Sequence, residues 1–192
     1  MPKLYIIAGC NGAGKTTASY TILPEFLDCK EFVNAEEIAK GLSPFQPEKV
    51  VIEAGRVMLA RINTLIKSGV NFAFETTLST KSYVNLIKKA KLKGFQVTLL
   101  FFWLRSKELA ISRVKNRVIE GGHNVPENVI KRRYDRGLIN LFNLFIPIID
   151  EWALINNSGK PYQTIAYGTS GEIKITDIKI WEELQTNYYE KH

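Results

Sequence analysis

Residues 9–17 read Gly-Cys-Asn-Gly-Ala-Gly-Lys-Thr-Thr, and this stretch decides the fold of the chain. It matches the pattern G-x-x-x-x-G-K-[ST], follows an apolar run at residues 4–8, and leads into a helical stretch that we expect to end near Leu23. In a glycine loop between a strand and a helix, the backbone N–H groups can converge on phosphate oxygens, where the helix dipole also favours an anion. The alternative is an ordinary strand–turn–helix connection. The flanking pattern favours a phosphate-binding loop.

The loop predicts two cofactors, ATP and Mg²⁺. We expect Lys15 to reach the β- and γ-phosphates as a catalytic cation, and the Thr16 hydroxyl to hold the metal. Cys10 lies near a helix start, a position that can lower the pKa of a thiol. The alternative is that this loop position tolerates many residue types and the cysteine has no chemical role. The predicted nucleotide-binding residues are Gly9, Cys10, Asn11, Gly12, Ala13, Gly14, Lys15, Thr16 and Thr17.

Composition indicates an ordinary globular chain with an anionic partner. Of 192 residues, 45% are hydrophobic and 23% are charged, and the net charge is +7. The longest apolar run, residues 99–104, is too short to span a bilayer, and no signal pattern opens the chain, so we expect a cytoplasmic protein without a membrane partner. The two cysteines make no disulfide framework. No basic strand interleaved with aromatic residues is visible, which argues against nucleic acid as the anionic partner.

Alternating apolar and helical stretches predict βα units and a mostly parallel sheet. We expect one domain over residues 1–192, an α/β three-layer P-loop NTPase kinase-like fold with helices on the sheet, a helical lid near residues 113–133, and a C-terminal hairpin followed by a helix capped by Asp177. The predicted strands are 4–8, 31–33, 70–74, 95–104 and 152–155, with hairpin strands 164–167 and 172–175 around residues 168–171. The predicted helices are 14–23, 47–68, 80–93, 107–119 and 126–149, the last bent or ended by Pro147.

Polar residues follow the predicted parallel strands, where ligands of such sheets bind. Glu36 follows the second strand, and we predict that it positions an acceptor hydroxyl and accepts its proton; a carboxylate interacting with a helix N-terminus is the alternative. Glu75 ends the third strand and suits a substrate hydroxyl or a metal-bound water. Thr76 is a substrate-binding candidate, with helix capping as the alternative.

Arginines cluster in the predicted lid. Arg113 and Arg117 are four residues apart and share a helix face, and Arg133 follows a glycine-containing stretch at residues 121–126. Because arginine binds phosphate oxygens in pairs, we predict catalytic roles for Arg113 and Arg117 and substrate binding by Arg133. His123 is a further candidate for substrate contact. A solvated basic helix face is the alternative for the whole group.

Four stretches together resemble the zeta toxin family of P-loop kinases: residues 9–17, 32–39 (FVNAEEIA), 74–79 (FETTLS), and 121–126 (GGHNVP) with the Arg132-Arg133-Tyr134 triplet. The resemblance covers roughly residues 4–158 and is closest to small bacterial members. It implies a kinase-like fold that uses ATP and Mg²⁺, with UDP-N-acetylglucosamine as the phosphate acceptor, and an antitoxin protein as a partner.

This chain departs from the family's pattern at two positions. Glu36 stands where the family has an aspartate as catalytic base, and His123 stands where the family's lid has an arginine. The leading hypothesis is an ATP-dependent kinase that phosphorylates a hydroxyl of a sugar nucleotide or related small molecule. A kinase for a different small hydroxyl compound, and a nucleotide-dependent module acting on nucleic acid, are the alternatives.

Overall fold

The computed structural model describes residues 1–169 and 171–189. Within this part of the chain, seven strands form one sheet in the order β2-β3-β1-β4-β5-β6-β7. The strands are β1 (Lys3–Gly9), β2 (Glu31–Val33), β3 (Phe72–Thr76), β4 (Gln96–Trp103), β5 (Glu151–Asn156), β6 (Gln163–Thr169) and β7 (Ile173–Ile175).

The first five strands run parallel, so their carboxyl ends meet at one edge of the sheet. Strand β1 lies in the centre, between β3 and β4, with Ile6 opposite Phe74 on one side and Leu99 on the other. Strands β6 and β7 are antiparallel, which confirms the predicted C-terminal hairpin; Ser170 of its predicted turn lies outside the described residues. The predicted α/β fold with a mostly parallel sheet is confirmed.

Seven α-helices occur in the described residues. No helix there is both long and apolar enough to cross a bilayer. The Asp177 side chain accepts a hydrogen bond from Ile180 N, as predicted for the helix cap near the C-terminus. The helices are α1 (Lys15–Phe26), α2 (Ala35–Leu42), α3 (Val51–Ser68), α4 (Tyr83–Leu92), α5 (Lys107–Ile119), α6 (Glu127–Asn140) and α7 (Ile178–Tyr188).

Several elements differ from the sequence-based expectation; α1 continues past Leu23 to Phe26, and α3 begins at Val51 after a 3₁₀ turn (Pro47–Val50). Helix α2 was not among the predicted helices, because its eight residues fall short of the about ten to twelve that distinguish a helix from a short strand by length. Strand β3 begins two residues later than expected, after Gly69 ends α3 in the left-handed conformation at φ 68°. The single helix expected over 126–149 is wrong beyond Asn140, where a π-helical turn (Leu141–Phe145) and a 3₁₀ turn (Ile146–Ile148) follow.

Side-chain chemistry explains why α6 does not continue. The Asn143 side-chain Nδ2 donates to the Ile139 carbonyl in the preceding turn and to Tyr188 O in α7, and Pro147 has no backbone N–H to donate. These contacts join the end of the α6 region to the C-terminal helix.

One face of α6 lies against the sheet edge where the strands end. Tyr134 donates its hydroxyl hydrogen to Leu104 O at 2.6 Å, and Asn140 Nδ2 donates to Leu78 O at 2.8 Å. Between them, Gly137 packs so closely that a Cβ atom there would lie 2.7 Å from the Thr77 carbonyl oxygen. Helix α6 is therefore held at a fixed distance from the end of β3, with Arg133 on its first turns.

The Gly137→Ala substitution should test this close approach. The added methyl group must displace either the helix or the loop after β3, so we expect unfolding free energy to fall by about 1–3 kcal/mol despite the better helix propensity of alanine. Urea unfolding of the purified protein measures the change. Gly55→Ala in α3 is the matched control, because a Cβ there has open space and alanine should leave stability equal or higher. Equal behaviour of the two variants would contradict the packing described.

Candidate functional site

The phosphate loop joins the central strand β1 to helix α1, as predicted. Lys15, the first residue of α1, is buried, and its Nζ donates to Cys10 O at 3.0 Å across the loop. Asn157, just beyond β5, donates its Nδ2 hydrogen to Ala13 O at 2.8 Å and so holds the loop from the other side. The loop is thus fixed by hydrogen bonds from within and from a neighbouring strand end.

Glu75 is the carboxylate around which the loop side chains gather. It lies near the end of β3 with 11% of its side chain exposed. Its Oε2 accepts hydrogen bonds from Thr16 Oγ1 at 2.7 Å and from Asn34 Nδ2 at 3.0 Å, and its Oε1 lies 3.5 Å from Lys15 Nζ. The predicted metal residue and the predicted catalytic lysine therefore share one carboxylate.

Glu36 lies in the first turn of α2, but its carboxylate is not used to cap that helix. The Asn34 side chain caps α2 by accepting from Glu36 N at 2.8 Å. The Glu36 carboxylate instead meets Arg117, whose NH1 lies 3.0 Å from Oε1 and 3.1 Å from Oε2. The carboxylate is thus held on the cleft side of α2 by a cation from α5.

Three arginines of the predicted lid come together at the cleft from two helices. Arg117 of α5 donates from NH2 to His123 O at 2.8 Å, which joins the helix to the segment of residues 120–126. Arg133 of α6 donates from NH1 to Asn11 Oδ1 at 3.1 Å, and Arg113 donates from NH2 to Ser158 O at 3.3 Å. Three guanidinium groups therefore face the phosphate loop and the residues beside it.

Burial has two clear electrostatic effects at the site. It lowers the pKa of Arg133, whose guanidinium lies partly out of water and beside Arg132, while Glu36 opposes the shift. Burial also raises the pKa of the Cys10 thiol to about 11, outweighing the opposing influence of Lys15, so the thiol is neutral near pH 7. Cys10 therefore takes part through its carbonyl oxygen, and the activated-thiol interpretation has no support.

The predicted residues do not all contribute to the site in the same way. Thr76 Oγ1 accepts a hydrogen bond from Leu78 N at 3.0 Å, which stabilises the turn after β3; this bond is not a helix cap, because α4 begins only at Tyr83. His123 Nδ1 lies 3.9 Å from Glu48 Oε2 on the opposite side of the cleft. Arg132, which precedes Arg133 on α6, is exposed and does not line the cleft.

A cleft of about 540 Å³ unites most of the predicted site residues. Its wall away from the phosphate loop includes apolar side chains from α3 and α4, such as Met58 and Tyr83. Gly9, Cys10 and Ala13 lie outside the lining. The predicted residues that line it are Asn11, Gly12, Gly14, Lys15, Thr16, Thr17, Glu36, Glu75, Thr76, Arg113, Arg117, His123 and Arg133.

Sequence reasoning missed the structural parts played by two asparagines. Asn34 links the α2 cap to Glu75, and Asn157 links β5 to the phosphate loop. Both follow parallel strands, so their position at the carboxyl ends of β2 and β5 was a usable signal. Asparagine carries both a donor and an acceptor, and sequence position alone cannot say which neighbours it joins.

The described residues contain no group of three or more His, Cys, Asp or Glu side chains arranged for a metal ion. The Thr16 hydroxyl and the Glu75 carboxylate, 2.7 Å apart, are oxygen groups of the kind that Mg²⁺ uses together with water and nucleotide phosphates. The residues present therefore fit a magnesium ion carried in with a nucleotide, and not a preformed protein cage.

Known proteins share the sequence pattern and the fold of this chain. A family model described as Zeta toxin matches residues 1–144. A Haemophilus influenzae protein described as uncharacterized is 34% identical over 134 residues, which are 69% of this chain and 92% of that protein.

Among solved structures, one of AvrRxo1-ORF1 with AvrRxo1-ORF2 and sulphate ions has a TM-score of 0.80 at 19% identity over all of this chain. The match spans 65% of the length of that solved chain. A structure from the PezAT chromosomal toxin-antitoxin system of Streptococcus pneumoniae has a TM-score of 0.67 at 17% identity, covering all of this chain and 80% of that one.

The sequence-based resemblance is therefore confirmed by a match over most of the chain, and the solved structures confirm the fold. One cleft is lined by the phosphate loop, by the Glu36 carboxylate beyond β2, and by the arginines of α5 and α6. The chain belongs to the zeta toxin family of P-loop phosphotransferases.

Proposed function

We propose that this chain transfers the γ-phosphoryl group of ATP to a hydroxyl group of a small molecule, with UDP-N-acetylglucosamine or a related sugar nucleotide as the acceptor. One observation carries the proposal: Glu36 lies in the same cleft as the phosphate loop and is paired with Arg117 at 3.0 Å. A carboxylate beside a triphosphate site suits proton transfer from an acceptor hydroxyl.

The phosphate loop would bind the donor. Backbone N–H groups at the start of α1 would hold the phosphates, and Lys15 would exchange its contact with Cys10 O for the β- and γ-phosphates. Thr16 and Glu75 would hold Mg²⁺ with the nucleotide, and the metal would supply neutralisation of the phosphate charge. The use of ATP as donor makes the cytoplasm the proposed compartment.

The transfer step then follows from the position of Glu36. The acceptor oxygen bonds to the γ-phosphorus, the bond from that phosphorus to the bridging oxygen of ADP breaks, and the hydroxyl proton passes to the Glu36 carboxylate. Arg113, Arg117 and Arg133 would stabilise charge on the transferring group and keep water away as the lid closes.

Family membership and charge support a sugar nucleotide as the acceptor. Four basic side chains, Lys15 and the three lid arginines, line the cleft, more than neutral substrates require. The wall with Met58 and Tyr83 offers apolar contact to the uncharged part of the ligand. Substrate-binding contacts from Glu75, Thr76, His123 and Arg133 remain predictions.

A protein antitoxin is the proposed macromolecular partner. The PezAT structure comes from a toxin-antitoxin system, and the AvrRxo1-ORF1 structures contain a second protein, in one case with ATP. Those partners belong to those proteins. For this chain they support a partner that controls access to the cleft.

Lys15→Ala should abolish phosphoryl transfer. Loss of the buried ammonium removes the cation nearest the phosphates, and we expect the rate to fall by on the order of 10²–10³ or more. The measurement is ADP and phosphorylated acceptor formed from ATP, Mg²⁺ and UDP-N-acetylglucosamine. Lys40→Ala is the matched control, because that half-exposed lysine pairs with Glu37 at 2.8 Å and does not line the cleft. A Lys15→Ala protein as active as Lys40→Ala would refute the proposed donor site.

Glu36→Gln should lower turnover by about 10²–10⁴ without weakening ATP binding, because the amide keeps the shape of the side chain and cannot accept the proton. Steady-state kinetics and calorimetric titration with ATP separate the two effects. Glu37→Gln is the control, since its carboxylate pairs with Lys40 away from the cleft lining. An unchanged turnover number in Glu36→Gln would assign the carboxylate to structure alone.

A further inference from the structure

The segment after α5 folds back onto its own helix at Arg117. Gly122 N donates to Arg117 O at 2.8 Å, and Gly121 N donates to Val118 O at 3.0 Å. These bonds bring the backbone of residues 121 and 122 against the last turn of α5. The following residue, His123, offers the carbonyl that Arg117 NH2 binds at 2.8 Å.

Gly122 leaves no room for a side chain where it meets Arg117. A Cβ atom on Gly122 would lie 2.6 Å from Arg117 Cγ, 3.2 Å from its Cδ and 2.8 Å from its carbonyl oxygen. The φ angle of Gly122 lies outside the left-handed region, in contrast to that of Gly121 at 87°. The φ angle therefore does not by itself exclude an alanine at position 122, and the three atoms nearest to its Cβ all belong to Arg117.

The far end of Arg117 is held as closely as its stem. One terminal nitrogen binds the Glu36 carboxylate, and the other binds the His123 carbonyl. The Nε atom is buried and has no hydrogen-bond partner in the described part of the chain. Both terminal nitrogens of Arg117 are thus engaged while its Nε–H has no partner there, and movement of the stem would change the contacts of the whole guanidinium group.

We propose that Gly122 is a positioning residue that sets the Arg117 guanidinium against the Glu36 carboxylate. The proposal rests on the proposed function, in which Glu36 takes the acceptor proton. Gly122 does not line the cleft and touches neither donor nor acceptor; it acts through the stem of Arg117. A displacement of the segment at Gly122 would therefore be passed through Arg117 to the Glu36 carboxylate.

This coupling separates catalysis from nucleotide binding. The phosphate loop is held by Lys15 and Asn157, and neither of them contacts Gly122. A methyl group at position 122 should displace Arg117 and leave Glu36 without its cation, so turnover falls while the affinity for ATP stays the same. A general loss of folding would weaken both together.

The first test is structural and needs no substrate. Crystal structures of Gly122→Ala and of the control Gly159→Ala, an exposed loop glycine with open space for a Cβ, are compared with the unsubstituted protein. We expect the Arg117–Glu36 contact of 3.0 Å to be broken in Gly122→Ala and kept in Gly159→Ala. An intact pair in Gly122→Ala overturns the proposal, whether or not the protein is a kinase.

The second test combines Gly122→Ala with Arg117→Ala, which removes the Cγ atom that the methyl group would meet. ADP formation from ATP and Mg²⁺, with UDP-N-acetylglucosamine present, is followed together with melting temperature and ATP affinity. We expect about a tenfold or greater loss of turnover from Gly122→Ala alone, with unchanged ATP affinity. On the Arg117→Ala background, the glycine substitution should add no further loss.

Multiplying effects in the double variant would overturn the proposal, because Gly122 would then act independently of Arg117. If Gly122→Ala alone fails to fold, recovery of folding in the double variant supports the contact with the Arg117 stem. Failure of both variants assigns the clash to the Arg117 carbonyl oxygen, 2.8 Å away, which the double variant keeps, and overturns positioning through the stem. Failure of the proposed function looks different: every variant and the unsubstituted protein would be equally inactive while the structural comparison still gave its answer.

Discussion

The carboxylate of Glu75 is the interaction on which the rest of the site depends. Its partners come from two places: Lys15 and Thr16 from the start of α1, in the phosphate loop, and Asn34 from the position after β2. A carboxylate this poorly exposed is stable only when charge and hydrogen bonds compensate its lost hydration. The same contacts that make Glu75 acceptable in the interior therefore fix the loop against the neighbouring strand ends.

Asn34 connects Glu75 to the start of helix α2. Its amide nitrogen binds Glu75 and its amide oxygen caps α2, so the start of α2, where Glu36 lies, is tied to the phosphate loop. Arg117 then joins Glu36 to the lid segment through the His123 carbonyl. A continuous chain of polar contacts thus connects the loop that would bind the donor to the segment that would close over it.

The sequence was sufficient for the sheet and for the location of the site, because both follow from strong local patterns. The phosphate-loop pattern at residues 9–17 and the rule that ligands bind at the carboxyl ends of parallel strands predicted Glu36 and Glu75 beside the loop, and the spacing of arginines on one helix face predicted Arg113; all three line the cleft. Helix α2 and the end of α6 escaped prediction, the first because it is short and the second because Asn143 and Pro147 interrupt a pattern that looks helical.

Pairing within the site could not be read from the sequence. Arg117 is 81 residues from Glu36, and Asn157 is 144 residues from Ala13, so only the folded chain shows which polar groups meet. Thr76 illustrates the same limit, because its hydroxyl serves a turn to Leu78 N while its position at the strand end equally suited a ligand. The steric fit of Gly122 against Arg117 likewise depends on the backbone path of the segment after α5.

The most direct test of the account is mass spectrometry of the products formed by the purified protein from ATP, Mg²⁺ and UDP-N-acetylglucosamine. The account predicts ADP and a sugar nucleotide carrying one additional phosphoryl group, formed in equal amounts because one bond to the γ-phosphorus forms as another breaks. Release of ADP and inorganic phosphate with the sugar nucleotide unchanged would contradict transfer to this acceptor. Absence of both ATP binding and ATP turnover would contradict the phosphotransferase account as a whole.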